Sequence, residues 1–331
     1  MTTRERYKAV MKFQKTDRLP MIEWASWWDK TIDRWHEEGM PREIVSNQDI
    51  MEYFGMDVHK QIWLQTIDHT KTKQLGHGKG VMAELTHKCY DEIKPFILSK
   101  DVVKWAQNDI DIWKVKQQQN GTLLWLTLDG FFWFPRKLMG IERHLYAFYD
   151  EPELMHRMNE DLLEFLLHTL EDFCKECTPD FVMFTEDMSY NNGPMISDAL
   201  FEEFMAPYYR KLIAKTRELG IDVIVDSDGD VTQLVPWFEN VGVDCILPLE
   251  RQSGVDIVEL RKKHPNLRMI GGFDKTVMHL GEAAMRKEFE RLLPIMKQSG
   301  FIPSCDHQTP PQVSLEDYRL YVKLLKEYCT N

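Results

Sequence analysis

The sequence predicts an α/β protein built on a (β/α)8 barrel of the TIM type. Strand-like apolar runs alternate with longer amphipathic stretches, which is the pattern of a parallel sheet covered by helices. Five consecutive runs end in acidic or other polar residues, and the carboxyl ends of barrel strands converge on one mouth. No GxGxxG motif or phosphate-binding glycine loop follows the first run. The usual reason for an open nucleotide-binding sheet is therefore missing.

The elements are expected in a simple order along the chain, beginning with a helical extension before residue 19. The predicted strands are 19–25, 123–134, 181–188, 222–228, 245–250, 268–274 and 301–307. Residues 57–95 break the alternation and are interpreted as an inserted hairpin or lid. Amphipathic helices are predicted between the later strands, for example at 197–220 and 282–300, the second ending at Gly300.

Composition and charge exclude several classes of partner. The net charge of −12 repels nucleic acid and anionic lipid, and no basic cluster offsets it. No run approaches the 18 apolar residues of a membrane span, and residues 1–20 lack the apolar core of a signal peptide. A cytoplasmic protein is expected. Six scattered cysteines predict reduced thiols, and Cys174 and Cys177 are interpreted as ordinary residues of an apolar helix face.

The ends of the later predicted strands carry the candidate chemistry. The stretch VIVDSDGDV, residues 223–231, runs from apolar residues directly into three aspartates. The polar residues at the five strand ends are Glu186, Asp187, Asp226, Asp228, Glu250, Asp274, Cys305, Asp306 and His307. Such residues can cap loops, and a cysteine can be a small core residue. Their convergence at one barrel mouth favours a metal or acid/base site instead.

Aromatic residues are the second indication of function. Several of the ten tryptophans lie near predicted strands: Trp24, Trp27, Trp28, Trp35, Trp125 and Trp133. Some of them, such as Trp35, are expected in the core. A mouth lined with indole rings favours a flat aromatic substrate, or a methylated ammonium held by cation–π attraction. We interpret Glu23, Trp24 and Asp129 as substrate-binding residues of this mouth.

Five segments together resemble the uroporphyrinogen decarboxylase-like superfamily. They are TTRERYKAVMKFQKTDRLP, LMGIERHLYAFYDEPELMHRM, NNGPMISDALFEEFMAPYYRKL, DSDGDV and GGFDKTVM. That superfamily includes the decarboxylase and the corrinoid-dependent methyltransferases. The resemblance covers nearly the whole chain and implies a single TIM-type barrel domain over residues 1–331.

The resemblance does not extend to the substrate-binding signature of the decarboxylases. Those enzymes carry an Arg-Gln-Ala-Gly-Arg stretch after the first strand, and its arginines bind substrate carboxylates in bidentate pairs. Here the region reads MIEWASWWDKTIDRW, and Arg34 is its first arginine. The resemblance therefore favours the corrinoid-dependent methyltransferase branch, of the O-demethylase type.

The resemblance also implies a zinc site. Methyltransferases of the superfamily bind zinc through a His-x-Cys and a later Cys, and related methionine synthases add a Glu. These positions fall on Asp226, Asp228, Cys305 and Glu250. Three carboxylates and a thiolate would leave a charge of about −2 around Zn²⁺, which makes a poor Lewis acid. Either some of these acids lie outside the ligand set or hold protons, or the site works without metal.

The predicted reaction moves a methyl group from a small donor, a phenyl methyl ether, to the cob(I)alamin of a separate corrinoid protein. Glu186 and Asp226 are candidates for the general acid that protonates the leaving oxygen. Tyr190, Asn191 and His307 are candidates for binding the donor.

Three alternatives remain at this point. A uroporphyrinogen decarboxylase-like lyase is disfavoured because the arginine stretch is missing. Methyl transfer from methyl-corrinoid to a thiol or folate is disfavoured because a thiolate acceptor requires a less negative zinc site. A barrel that binds a small molecule without turnover is the third.

Overall fold

A seven-stranded parallel sheet lies at the centre of the computed structural model, which describes residues 1–330. The strands are β1 (His59–Trp63), β2 (Leu123–Asp129), β3 (Phe181–Thr185), β4 (Ser189–Tyr190), β5 (Gly193–Pro194), β6 (Asp222–Asp226), β7 (Cys245–Leu247), β8 (Arg268–Phe273) and β9 (Phe301–Cys305). The sheet runs β1-β2-β3-β6-β7-β8-β9, so its neighbours follow in chain order, and β4 and β5 form a small antiparallel hairpin outside it. All carboxyl ends therefore lie at one edge of the sheet.

Helices fill the intervals between the strands. They are α1 (Thr3–Met11), α2 (Asp29–Glu37), α3 (Asn47–Phe54), α4 (His87–Ile93), α5 (Val102–Trp105), α6 (Gln107–Asn120), α7 (Trp133–Met139), α8 (Ile141–Asp150), α9 (Pro152–Glu176), α10 (Asp198–Phe204), α11 (Ala206–Leu219), α12 (Val235–Val241), α13 (Ile257–Lys263), α14 (Glu282–Met296) and α15 (Leu315–Thr330). Short 3-10 helices cover Lys94–Phe96, Arg251–Ser253 and Lys275–Leu280. None of the helices in residues 1–330 is both long and apolar enough to cross a membrane.

The core lies on both faces of the sheet. Every residue of β2, β3 and β9 is buried, as expected of parallel strands that helices cover. The strands predicted from 123 onward are confirmed, although the run 123–134 is too long. Its strand ends at Asp129, and α7 begins at Trp133.

The structure corrects the prediction of a strand at residues 19–25. Residues 19–25 form no strand of the sheet, and the backbone N–H groups of Met21 and Trp24 donate to the side chains of Asp57 and Ser304. Asp57 accepts from the backbone N–H of Met21 at 2.8 Å, and Glu23 accepts from the N–H of Cys305 at 3.1 Å. The backbone N–H of Asp57 also donates to the Met21 carbonyl at 2.9 Å. The segment thus contacts both β9 and the residues just before β1, the two edges of the curled sheet.

The structure also corrects the interpretation of residues 57–95 as an inserted hairpin or lid. Residues 57–95 contain β1, which pairs in parallel with β2. The remainder is loop and the helix α4, with one antiparallel bridge between Ile67 and Ile97. The sequence HKQIW was missed because only two of its five residues are buried and most are polar.

Candidate functional site

A cavity opens at the carboxyl edge of the sheet, with a volume of about 230 Å³. Indole rings and one thioether form its apolar walls: Trp24, Trp63, Trp133 and Met183. The charged residues of the lining are Asp187, Asp226, Asp228 and His307. The cavity therefore combines flat apolar walls with a concentrated acidic surface.

Neighbouring strand ends bring the acidic groups together. Thr185 at the end of β3 lies opposite Asp226 at the end of β6 in the parallel ladder. The carboxylate oxygens of Asp187, Asp226 and Asp228 lie within 4.8 Å of one another. Gly229 follows with φ +84°, and a Cβ there would lie 2.8 Å from the backbone of Tyr190. Only glycine fits this close approach between the β6 turn and the β4–β5 hairpin.

The cluster favours protonated carboxyl groups. Burial, and then the neighbouring Asp228, raise the pKa of Asp187 to about 6. Burial together with the charges of Asp187, Asp228 and Glu250 raises the pKa of Asp226 well above its ordinary value. Like charges that share a site oppose ionisation of one another. The arrangement therefore favours the protonated form of Asp226 over its carboxylate.

A second group of three side chains overlaps the first. Potential ligand atoms of Asp228, Glu250 and His307 also lie within 4.8 Å of one another. His307 Nε2 is 3.5 Å from an Asp228 oxygen, and this contact raises the pKa of His307. Glu250 accepts from the N–H of Gly229 at 2.9 Å and lies 3.6 Å from the ammonium of Lys275. Both groups contain side chains of the kinds that bind metals.

The family model for uroporphyrinogen decarboxylase (URO-D) matches residues 132–328, which is more than half of the chain. The chain belongs to the uroporphyrinogen decarboxylase family. No curated protein sequence matches it. Among solved structures, a methyltransferase from Methanosarcina mazei aligns over 99% of both chains, with a TM-score of 0.67 and 13% identity. This likeness shows a common fold.

A weaker structural likeness involves a Listeria monocytogenes protein named as a candidate vitamin-B12 independent methionine synthase. It has 13% identity and a TM-score of 0.47, and the alignment covers 95% of this chain and 98% of the other.

Glu186 of this URO-D family member does not line the cavity. Its carboxylate accepts from the backbone N–H groups of Phe131, Phe132 and Trp133 at 2.8, 2.7 and 3.1 Å. The hydroxyl of Tyr209 also donates to it. Burial raises the pKa of Glu186 to about 7 despite these donors. The geometry makes Glu186 an anchor for the start of α7, and Asp187, not Glu186, faces the cavity.

Cys305 is also separated from the acidic groups. Its Sγ lies 4.0 Å from Met278 Sδ and 3.9 Å from Thr309 Oγ1. Burial raises the pKa of its thiol well above the ordinary value, so the thiolate is disfavoured. Within residues 1–330, Cys305 belongs to neither group of potential ligands. Of the four predicted zinc ligands, Asp226 and Asp228 share one group, Asp228 and Glu250 share the other, and Cys305 is in neither.

Glu23, Trp24 and Asp129 have different surroundings. Glu23 accepts from Tyr321 and Ser304 at 2.6 and 2.8 Å, and burial raises its pKa to about 7. Trp24 lines the cavity and donates from Nε1 to the Cys305 carbonyl at 2.7 Å. Asp129 is buried and pairs with Lys137 at 2.5 Å. Of these three predicted substrate-binding residues, only Trp24 lines the cavity at the carboxyl edge of the sheet.

The residues of the β4–β5 hairpin lie near the rim. Tyr190 is exposed, and its carbonyl accepts from the N–H of Asp230 at 3.0 Å. The Asn191 side-chain oxygen accepts from the hydroxyl of Ser253 at 3.1 Å. Neither residue lines the cavity at the carboxyl edge of the sheet. His307, in contrast, lines the cavity, with its ring 6.2 Å from that of Trp24 in an edge-on arrangement.

Several cavity residues were not singled out from the sequence: Gln61, Trp63, Met183 and Gln308. Gln61 and Trp63 lie on β1, which was not recognised as a strand. Recognition of that strand would have placed both residues at the mouth. Gln308 directly follows His307, and that adjacency was the available signal.

Proposed function

We propose that this chain transfers a methyl group from a phenyl methyl ether to the cob(I)alamin of a separate corrinoid protein. The observation that carries the proposal is the position of Asp226, whose pKa is raised by burial and by its acidic neighbours, in a cavity walled by tryptophan. The methyltransferase from Methanosarcina mazei, which shares the fold, supports the reaction class.

The apolar walls suit an aromatic donor. Indole rings attract a phenyl ring by offset stacking or edge contact. Trp24, Trp63 and Trp133 come from three different segments, so a planar ring would be held from several sides. The methoxy group would then be directed towards the acidic side of the cavity.

Asp226 supplies the proton that the leaving group needs. Co(I) attacks the methyl carbon, the bond between that carbon and the ether oxygen breaks, and the carboxyl proton of Asp226 moves to the oxygen. The products are methyl-Co(III), a phenol and the Asp226 carboxylate. Asp187 and Asp228 keep the proton on Asp226 beforehand through their charges.

Zinc would supply Lewis acidity at the same oxygen, but the predicted ligand set fits it poorly. The Cys305 thiol lies elsewhere, against Met278 and Thr309. Asp228 already faces His307, and Glu250 already faces Lys275. We therefore assign activation of the ether oxygen to the Asp226 carboxyl group.

The cobalamin is a co-substrate brought by the partner protein. The cavity is open at the carboxyl edge of the sheet, where its lining residue Trp63 is exposed, and we propose that the corrinoid protein binds there. All six cysteines are free thiols, which fits a reaction in the reducing cytoplasm.

The direct experiment mixes the purified chain with a reduced corrinoid protein and separate donors. Methoxyarenes, methylamines and betaines are compared by the loss of Co(I) absorbance. We expect methoxyarenes to consume Co(I) stoichiometrically. Absence of methyl-Co(III) with every donor would contradict the proposal.

Decarboxylation of a porphyrinogen is the second candidate, because it is the reaction for which the family is named. Among the described residues that line the cavity there is no arginine or lysine, whereas such a substrate carries eight carboxylates. We expect a porphyrinogen to release no carbon dioxide with this chain. Release of carbon dioxide would favour the decarboxylase.

A further inference from the structure

We propose that the methyl donor is a methoxyarene whose ring carries a neutral or cationic substituent, and that the cavity selects against anionic methoxybenzoates. This inference rests on the proposed function, because it concerns the donor of that reaction. It follows from the distribution of charge in and around the cavity.

The lining is net negative. Its charged side chains, among the described residues, are three aspartates and His307, with no lysine or arginine. A protonated His307 together with one protonated carboxyl group still leaves negative charge in excess. His307 is also 3.5 Å from Asp228, so its charge is already matched. A ring carboxylate would have no free cation to pair with.

Cations close to the cavity are engaged by other groups. The Arg136 guanidinium lies 4.7 Å from the Trp133 ring centroid and donates to the Asp187 carbonyl at 2.7 Å. Two ammonium groups have carboxylate partners: Lys60 with Asp109 at 2.8 Å, and Lys275 with Glu250 at 3.6 Å. Moving one of them to a substrate would break an existing ion pair.

The neutral polar groups of the cavity suit uncharged substituents. Ser26, Gln61 and Gln308 lie in the lining, and the amide of Gln308 donates to the Ser26 hydroxyl at 3.1 Å. An adjoining space of about 120 Å³ continues past Trp24 and Gln61. Its lining includes Glu23, Gln48 and Lys60, and the Lys60 ammonium is already paired with Asp109 at 2.8 Å. Hydroxyl and amide groups can both donate to and accept from a ring hydroxyl or hydroxymethyl group.

The electrostatic cost of a carboxylate is large enough to measure. Two like charges about 6 Å apart still repel at the effective dielectric constant of about 20 that applies near a protein surface. Solvent screening at the open mouth reduces this repulsion. We therefore expect selection against the carboxylate by at least about tenfold.

Three donors with the same ring test the inference. They are 4-hydroxy-3-methoxybenzyl alcohol, the corresponding benzylamine and 4-hydroxy-3-methoxybenzoate, compared by kcat/KM for methyl-Co(III) formation. We expect the alcohol and the amine to exceed the benzoate by at least about tenfold. Equal or better use of the benzoate would overturn the inference and leave the methyltransferase proposal intact.

A charge introduced at the wall provides a second readout. Gln308→Arg should reduce the ratio of kcat/KM for the alcohol to that for the benzoate, because it adds the missing cation. Gln308→Met has a similar length without charge and should leave the ratio unchanged. The ratio cancels any loss of activity common to both donors. An unchanged ratio in Gln308→Arg would count against charge selection.

Binding separates failure of this inference from failure of the proposed function. Quenching of tryptophan fluorescence gives Kd for the three ligands without turnover. If none transfers its methyl group but the alcohol and amine bind more tightly than the benzoate, the methyltransferase proposal fails and charge selection holds. If the benzoate binds most tightly, charge selection fails whatever the turnover.

Discussion

The carboxyl group of Asp226 lies beside those of Asp187 and Asp228, and its chemistry depends on that arrangement. Replacing Asp226 by Asn retains its size but removes the acidic proton. We expect Asp226→Asn to lower the single-turnover rate of methyl transfer by about 10²-fold or more. The free energy of unfolding should change by about 1 kcal/mol or less.

The matched control is Asp230→Asn, four residues further along the same turn. Asp230 accepts from the N–H of Thr232 at 3.0 Å and does not line the cavity. Asn caps such a turn nearly as well as Asp, so both stability and rate should be retained. A normal rate in Asp226→Asn, measured with its thermal midpoint on the same sample, would assign Asp226 a structural role.

The pH dependence of methyl transfer follows from the charges around Asp226. The protonated acid is the active form, so the rate should fall as pH rises through its pKa. The charge of Asp187 raises that pKa. Asp187→Asn removes the charge and should move the fall in rate to lower pH, by on the order of one pH unit. A shift to higher pH would be incompatible with Asp226 as the acid.

At the level of single elements, Glu186 links the end of β3 to the start of α7. Its two oxygens accept from three backbone N–H groups and from the Tyr209 hydroxyl. Gly130 leaves the space for it, because a Cβ there would lie 2.2 Å from the Glu186 carboxyl group. The buried acid thus fixes the position of Trp133, which forms one cavity wall.

This anchor predicts a loss of stability in Glu186→Gln. In either orientation, the side-chain NH₂ group would face donors that now bind oxygen. We expect the free energy of unfolding to fall by roughly 1–3 kcal/mol, the cost of unsatisfied buried groups. Tyr209→Phe removes a single donor and should cost less. Unfolding in denaturant measures both, and an unchanged stability in Glu186→Gln would show that the carboxylate does not anchor α7.

The direction in which each side chain points decides which site residues could be predicted from the sequence. The sequence located the polar strand ends correctly, but successive residues there point in different directions. Glu186 faces the backbone of α7, and Asp187 faces the cavity. Cys305 is the last residue of β9 and packs against Met278, whereas His307 lies in the turn beyond the strand and reaches the acidic group. Composition alone could not distinguish such neighbours, since that requires the path of each turn.

The two errors in the predicted fold, at residues 19–25 and at β1, also have local causes. Strong apolar runs located β2, β3 and β6 to β9. Residues 19–25 are apolar because they are buried between β9 and the residues before β1, and burial alone does not produce a ladder. β1 was missed because three of its five residues, His59, Lys60 and Gln61, are polar. Tertiary position, not propensity, decided both cases.

At the scale of the whole molecule, the proposed mechanism uses the converging strand ends for acid catalysis without a metal ion. Dialysis against a strong chelator should therefore leave the rate of methyl transfer unchanged. Metal analysis by mass spectrometry provides the control for complete removal. Loss of activity that zinc restores would instead assign Asp228, Glu250 and His307 to a metal site.

The most direct test of the account follows the methyl group itself. A phenyl ether labelled with ¹³C in its methoxy group is incubated with the chain and one equivalent of reduced corrinoid protein. We predict that the ¹³C resonance moves quantitatively from the ether to methyl-Co(III), with one equivalent of the phenol formed. Retention of the label in the ether, while the same preparation releases carbon dioxide from a porphyrinogen, would contradict the methyltransferase proposal.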